Sequence, residues 1–222
     1  MGYLAKGKLS QILNVYEIQP EGNGPFPTII NFMHAGAIDD PMKRVCDDLA
    51  AEGYYAVCAD AYLNGSYNFQ SKSDSLILRA FNLLLDWLKV NPLVDHDKLG
   101  LIGFCMGGRF VYLANAKMDI MKAAVAYYGF PHRGSNEADT PQNLIEQFTA
   151  PTLSLFGSKD GGIPEVAVNA YKEASEKDGL PHKTYYYEGA EHGFLDPNSP
   201  RYHEEAAKQA WEKTLEHFKK YL

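Results

Sequence analysis

GFCMGGR, residues 103–109, lies between an apolar run, KLGLIGF (98–104), and a helix-like run, MGGRFVYLANA (106–116). A strand that turns abruptly into a helix exposes the residue at the corner, here Cys105. The pattern is the sharp turn that presents a serine nucleophile in many hydrolases, with cysteine in the serine position. Read alone, it allows two meanings. Cys105 is a nucleophile, or it is a buried small hydrophobe beside glycines that let a helix pack on a strand. The glycines fit the first meaning sterically. A residue at such a corner crowds its neighbours, and Gly103 and Gly107, two positions to either side, remove the side chains that would clash.

Working outward, the chain after residue 25 alternates strand and helix. PTIINFM (27–33), YYAVCAD (54–60), KLGLIGF, AAVAYYGF (123–130), APTLSLFG (150–157) and HKTYYYEG (182–189) are short apolar or β-branched runs. Between them, helices are expected from Pro41 to Glu52 with Asp40 as N-cap, from Ser73 to Asn91, from Met106 and from Pro164 to Lys177. In the second, Leu76, Ile77, Ala80, Leu83, Leu84, Trp87 and Leu88 recur every three or four residues and form one stripe. A last helix carries Ala207, Trp211, Leu215, Phe218 and Leu222. LSQILNVYEIQP (9–20) alternates loosely and reads as an antiparallel edge strand. Residues 131–150 read as an irregular excursion over a site. Strands alternating with helices imply a mostly parallel sheet covered on both faces, in one α/β domain over residues 1–222. Ligands of such sheets bind beyond the carboxyl ends of the strands.

Three chemically able side chains fall at such ends. Cys105 follows KLGLIGF, Asp160 follows APTLSLFG in GSKDGG (157–162), and His192 follows HKTYYYEG in GAEHGF (189–194). Nucleophile, acid, histidine is the chain order of the α/β-hydrolase triad. In that reading His192 takes the thiol proton, or holds the thiolate as an ion pair, and later activates water, while Asp160 fixes the imidazole tautomer and stabilises its charge. The start of a helix favours thiolate over thiol. The N–H groups of Met106 and Ala35 would form an oxyanion hole. Taken singly, Asp160 reads as a turn residue and His192 as a satisfied histidine; taken together, their order and placement favour the triad. No GxSxG occurs, so a serine nucleophile has no candidate. GLIGFCMGG lacks the GxGxxG spacing of a dinucleotide site. Cys46 and Cys58 fall within a helix and a strand and read as structural.

Composition narrows the class further. The 222 residues are 45% hydrophobic and 22% charged, with a net charge of −7. That balance disfavours nucleic acid and anionic membranes as partners. No apolar run reaches the roughly 20 residues of a membrane span, and the first residues lack a signal-peptide core. Three scattered cysteines form no zinc spacing, and HEEAA (203–207) lacks the second histidine of a zinc helix, so no metal site is expected. Free thiols point to a reducing cytoplasm.

The motifs GFCMGG, FGSKDGGIP (156–164) and EGAEHGF (188–194), with EGYYAVCADAY (52–62) and AVAYYG (124–129), resemble the dienelactone hydrolase family. This is a cysteine-nucleophile branch of the α/β-hydrolase fold, and the likeness runs from about residue 27 to the C-terminus. It implies a compact core without a large cap domain. It also implies ester or lactone hydrolysis through a thioester, with no metal or organic cofactor. The dienelactone-cleaving members have a glutamate just before the oxyanion-hole residue; His34 stands there. Their two carboxylate-binding arginines correspond to Asn64 and Asp196. Each lost charge-assisted contact is worth about 1.5–3 kcal/mol, so an anionic lactone should bind poorly and a small neutral ester is expected instead. Tyr62 and Tyr128, at strand ends, are candidates to line the pocket. Arg109, one helical turn past Cys105, is expected to face away in a structural role. His34 has three open roles: donor to substrate, substitute for the glutamate, or shaper of its loop. The expected assembly is a monomer or small homo-oligomer. The rival function is a binding or sensor module that kept the fold and lost the chemistry; a thiol redox role is a third.

Overall fold

A computed structural model describes residues 3–4, 13–62, 74–134, 136–177 and 179–222. Its strands are β1 (Tyr3–Leu4), β2 (Val15–Ile18), β3 (Phe26–Phe32), β4 (Tyr55–Ala59), β5 (Val94–Phe104), β6 (Ala123–Tyr127), β7 (Thr152–Gly157) and β8 (Lys183–Tyr187). The helices are α1 (Asp40–Ala51), α2 (Asp74–Leu88), α3 (Met106–Lys117), α4 (Pro141–Leu144), α5 (Glu165–Lys177) and α6 (Glu204–Tyr221). The strands form one sheet in the order β1-β2-β4-β3-β5-β6-β7-β8. From β4 to β8 every pairing is parallel, and β2 and β1 join antiparallel. Parallel strands covered on both faces need unbroken apolar runs, and β4 (YAVCA) and β6 (AAVAY) are buried at every residue.

Helices cover both faces, as the alternating pattern predicts. On one side the Asn31 amide donates to the Met42 carbonyl of α1 at 3.2 Å, and the Tyr127 hydroxyl meets Thr214 of α6 at 2.7 Å. On the other, Phe32 packs on Phe81 of α2 and Phe110 of α3, and Tyr112 of α3 meets Tyr171 of α5. The chain leaves β3 through α1 to β4, then returns through α2 to β5 on the opposite side of β3. Strand order reverses there, so the carboxyl ends of β3 and β5 flank the crevice where such sheets bind ligands.

Several local expectations are corrected. The N-cap of α1 is Asp39, not Asp40: its Oδ1 accepts the Met42 N–H at 3.2 Å, while Asp40 lies inside the helix and faces Lys43 at 3.7 Å. Pro41 has no N–H to cap, so the carboxylate must reach the next donor, from one residue further back. The strand in residues 9–20 is not the edge, because β1 pairs outside it. A two-residue strand has too little pattern to be read from sequence. Residues 131–150 are less irregular than expected, and Arg133 among them lines a cavity beside Asp160 and His192. They fold as α4 flanked by two 3₁₀ turns, bury Leu144, Ile145 and Phe148, and stack Phe148 on Tyr112 of α3. Among the described residues, no helix is long and apolar enough to cross a membrane.

The buried His217 on α6 links stability to pH. Its Nε2–H donates to the Pro151 carbonyl at 3.1 Å, and burial pushes its pKa from 6.5 down to about 4. The unfolded ring takes up a proton below about 6.5, whereas the folded ring waits until about 4. The stability that the neutral ring contributes is therefore lost as pH falls through that window, by up to about 3 kcal/mol. Denaturant unfolding of wild type and His217→Gln between pH 7 and 4 tests this. The variant, which keeps an N–H donor, should lose less stability on acidification; parallel curves would contradict the linkage.

Candidate active site

The corner after β5 is as sharp as its sequence implies. Cys105 adopts φ 56° and ψ −118°, a region that side chains rarely occupy, and its N–H donates to the Tyr127 carbonyl at 3.0 Å. A Cβ on Gly103 would collide with the Gly107 carbonyl, and one on Gly107 would collide with the Phe32 carbonyl. The missing side chains thus let α3 rest directly on the end of β3. As the first residue of α3, Met106 has an N–H with no intrahelical acceptor.

Opposite lies the loop after β3. The His34 ring is fully engaged: Nδ1 accepts the Gly36 N–H at 2.9 Å, and Nε2–H donates to Asp39 Oδ2 at 2.7 Å. Because Asp39 also caps α1, one carboxylate ties this loop to the helix that follows. With both nitrogens occupied, His34 has no donor left for a substrate. Of its three readings, the structure favours the loop-shaping one.

Asp160 and His192 meet from separate strand ends. His192 Nδ1–H donates to Asp160 Oδ2 at 2.6 Å, and Asp160 Oδ1 accepts the Gly162 N–H at 2.8 Å. Asp160 is 6% exposed. The imidazole lies between two aromatic rings, Tyr128 at 4.9 Å and Phe130 at 5.3 Å between centroids, and Phe130 stacks nearly parallel. Burial by itself would lower the pKa of His192. Hydrogen bonds to Asp160 and Cys105, together with their negative charge, outweigh it and raise the value from 6.5 to about 9. The Asp160 carboxylate and the Cys105 sulfur thus both favour the protonated ring. Burial, reinforced by the charge at Cys105, pushes the Tyr128 hydroxyl well above its ordinary range.

A cavity of about 270 Å³ opens over these groups, with Cys105, His192, His34, Ala35, Tyr128 and Asp196 among its walls. Asp196 is not a lone anion: Arg44 of α1 approaches it at 3.5 Å. Tyr62 is not among the walls. It is buried against Phe110, with its hydroxyl 3.5 Å from the Met33 carbonyl. Asn64 lies outside the described residues. Arg109 faces away, as expected: it is buried in a bidentate pair with Asp74 of α2 at 2.5 and 2.6 Å, and its Nε donates to the Arg133 carbonyl. Among the described residues, no three His, Cys, Asp or Glu side chains gather as a metal site would require.

The model of the dienelactone hydrolase family matches residues 13–222. The chain belongs to the dienelactone hydrolase family. A Methylorubrum extorquens protein named "putative carboxymethylenebutenolidase" is 30% identical, over 95% of this chain and 77% of its own. An Escherichia coli K12 protein of the same name is 29% identical, over 93% of this chain and 82% of its own. The crystal structure of a "putative dienelactone hydrolase" from Klebsiella pneumoniae superposes with a TM-score of 0.87 at 28% identity, covering 94% of this chain and 93% of that one.

Within this family frame, sequence reasoning missed two side chains. Phe130 ends the run AAVAYYGF, and its place two residues past Tyr128 was the available signal. Arg201 lines the same cavity, with its guanidinium against Gly193. It lies beyond the EGAEHGF motif, so no spacing rule pointed to it.

His192 should titrate near pH 9 by NMR of the labelled ring in the wild type. Cys105→Ser removes the ionisable sulfur and should move the titration down. The stability contributed by the protonated ring is complete below about 6.5 and disappears as pH rises through about 9. An unchanged titration in Cys105→Ser would show that the two groups are not coupled.

Proposed function

We propose that this protein hydrolyses small, uncharged carboxylic esters or lactones through Cys105, His192 and Asp160. The observation that carries the reading is the 2.6 Å bond from His192 Nδ1 to the buried Asp160 carboxylate, with the same imidazole on the wall of the cavity that holds Cys105. Family membership supports the reaction type.

In this mechanism Cys105 and His192 rest as a thiolate–imidazolium pair. The thiolate attacks the ester carbonyl, and the developing oxyanion takes hydrogen bonds from the N–H groups of Met106 and Ala35. His192 Nε2–H gives its proton to the departing alkoxide, and the acyl group stays on sulfur as a thioester. With the thiolate consumed, the imidazole loses one of the two negative neighbours that held its proton and is free to act as a base. It takes a proton from water, hydroxide adds to the thioester, and collapse of the second oxyanion returns the thiolate. One ester and one water become one acid and one alcohol. Asp160 keeps the ring in one tautomer throughout.

An uncharged substrate is supported by the charges around the cavity. Asp196 stands where an arginine would greet a carboxylate, and Arg44 already balances it. A substrate anion beside Asp196 would face an occupied cation and a repelling carboxylate, and the further cation on the cavity wall, Arg201, lies on the His192 side.

Cys105→Ala should reduce kcat/KM for 4-nitrophenyl acetate by at least about a thousandfold, as loss of a nucleophile does. Wild-type rates in the variant would remove Cys105 from the reaction.

A further inference from the structure

Beside the compartment that holds Cys105 lies a second and larger one, of about 370 Å³, between α1 and α6. Its walls are apolar: Met42 and Val45 of α1, Phe104 at the end of β5, Leu195, and Ala207 and Trp211 of α6. The two compartments share Pro41, Met42, Phe104, Tyr128 and Asp196, so they adjoin. The larger one includes neither Cys105 nor His192. Its charged wall residues are Arg44, Asp48, Asp196, Glu204 and Lys208, which mix signs; Asp48, Glu204 and Lys208 are exposed and mark its outer end. Such a rim attracts neither anions nor cations. A chamber of this size beside the Cys105 compartment is within the range of small-molecule pockets, about 300–1,000 Å³. A small ester seated over Cys105 would leave it unused.

We propose that this chamber is the acyl-arm subsite, and that among neutral esters those with an apolar acyl chain long enough to reach it are the preferred substrates. The inference rests on the hydrolase reading above for its direction. His192 gives its proton to the leaving oxygen, so the alcohol departs on the His192 side. A separate open cavity, walled by Phe130, Arg133, Asp160 and Gly162, shares His192 and Arg201 with the nucleophile's compartment and takes that side. The chamber between α1 and α6 touches the compartment only through Phe104, Tyr128 and the residues of α1 and the Asp196 loop. An arm lying there points away from His192, which makes it the acyl arm. Met42 and Tyr128, common to both compartments, form the throat.

The test is a chain-length series. For 4-nitrophenyl esters from acetate to octanoate, kcat/KM should rise by at least about tenfold, since burial of each methylene is worth up to about fourfold. Alkyl acetates of matching length, with the long arm on the alcohol, should gain little. Ala207→Trp and, separately, Val45→Phe fill the chamber, and each should collapse the octanoate-to-acetate ratio toward one. Octanamide, an uncharged probe that needs no chemistry, should bind Cys105→Ala protein by calorimetry, and adding Ala207→Trp should abolish that binding. If acetate is cleaved but the acyl series is flat, or the gain follows the alcohol arm, the subsite is overturned and the hydrolase reading stands. If no ester is cleaved yet octanamide binds and Ala207→Trp removes it, the chamber stands as a site for apolar chains and the hydrolase reading falls. If octanamide does not bind, the subsite is overturned.

Discussion

The site depends on one contact between backbones. Gly107, in the first turn of α3, sits on the carbonyls of Phe32 and Met33 at the end of β3, with no room for a methyl group. That contact brings the start of α3 against the loop that follows β3. It therefore fixes the distance between the Met106 and Ala35 N–H groups, and it holds Cys105 in backbone angles that it would not adopt alone. Strain of this kind costs about 1–3 kcal/mol and persists only where the surroundings impose it. Here they do: the Cys105 N–H is tied to Tyr127, Gly103 is pressed against the Gly107 carbonyl, and the Arg109–Asp74 pair anchors the same helix turn to α2.

Around that corner, the charges are arranged in pairs that cross between elements. Asp160 holds His192 from a neighbouring strand end, Asp39 holds His34, and Arg44 balances Asp196. Each pair limits what its members can do for a substrate. His34 is spent on its own loop. Asp196 is paired with Arg44, so neither is free to draw a substrate charge of opposite sign. His192, held at Nδ1, shares its cavity with Cys105. Two aromatic rings at about 5 Å pack against that imidazole and limit its movement.

Much of this was legible in the sequence, for reasons that differ by residue. Cys105 and Asp160 each follow an apolar run that folds as a strand buried toward its end, and His192 follows the tyrosine-rich edge strand β8, so a parallel sheet carries all three to one edge. Gly103 and Gly107 announce the close approach by their spacing around a single residue. Tyr62 and Tyr128 looked alike in sequence, both aromatic and both past a strand end, yet one is packed against Phe110 and the other faces the cavity. Only the path of the chain beyond each strand separates them. The fate of His34 was closed to sequence because it turns on which atoms its ring meets. Trp211 fitted the apolar stripe of α6, and periodicity cannot tell a core position from a cavity wall. The chamber between α1 and α6 was equally hidden, since its walls come from opposite ends of the chain.

The account stands or falls on a covalent bond to sulfur. Rapid mixing with an activated ester, acid quench and intact-protein mass measurement test it most directly, with peptide mapping to locate any adduct. The expected result is one acyl group per chain, carried by the peptide containing Cys105 and lost on alkaline treatment as a thioester would be. Turnover of the ester with no adduct on Cys105, or with the adduct on another residue, would contradict it.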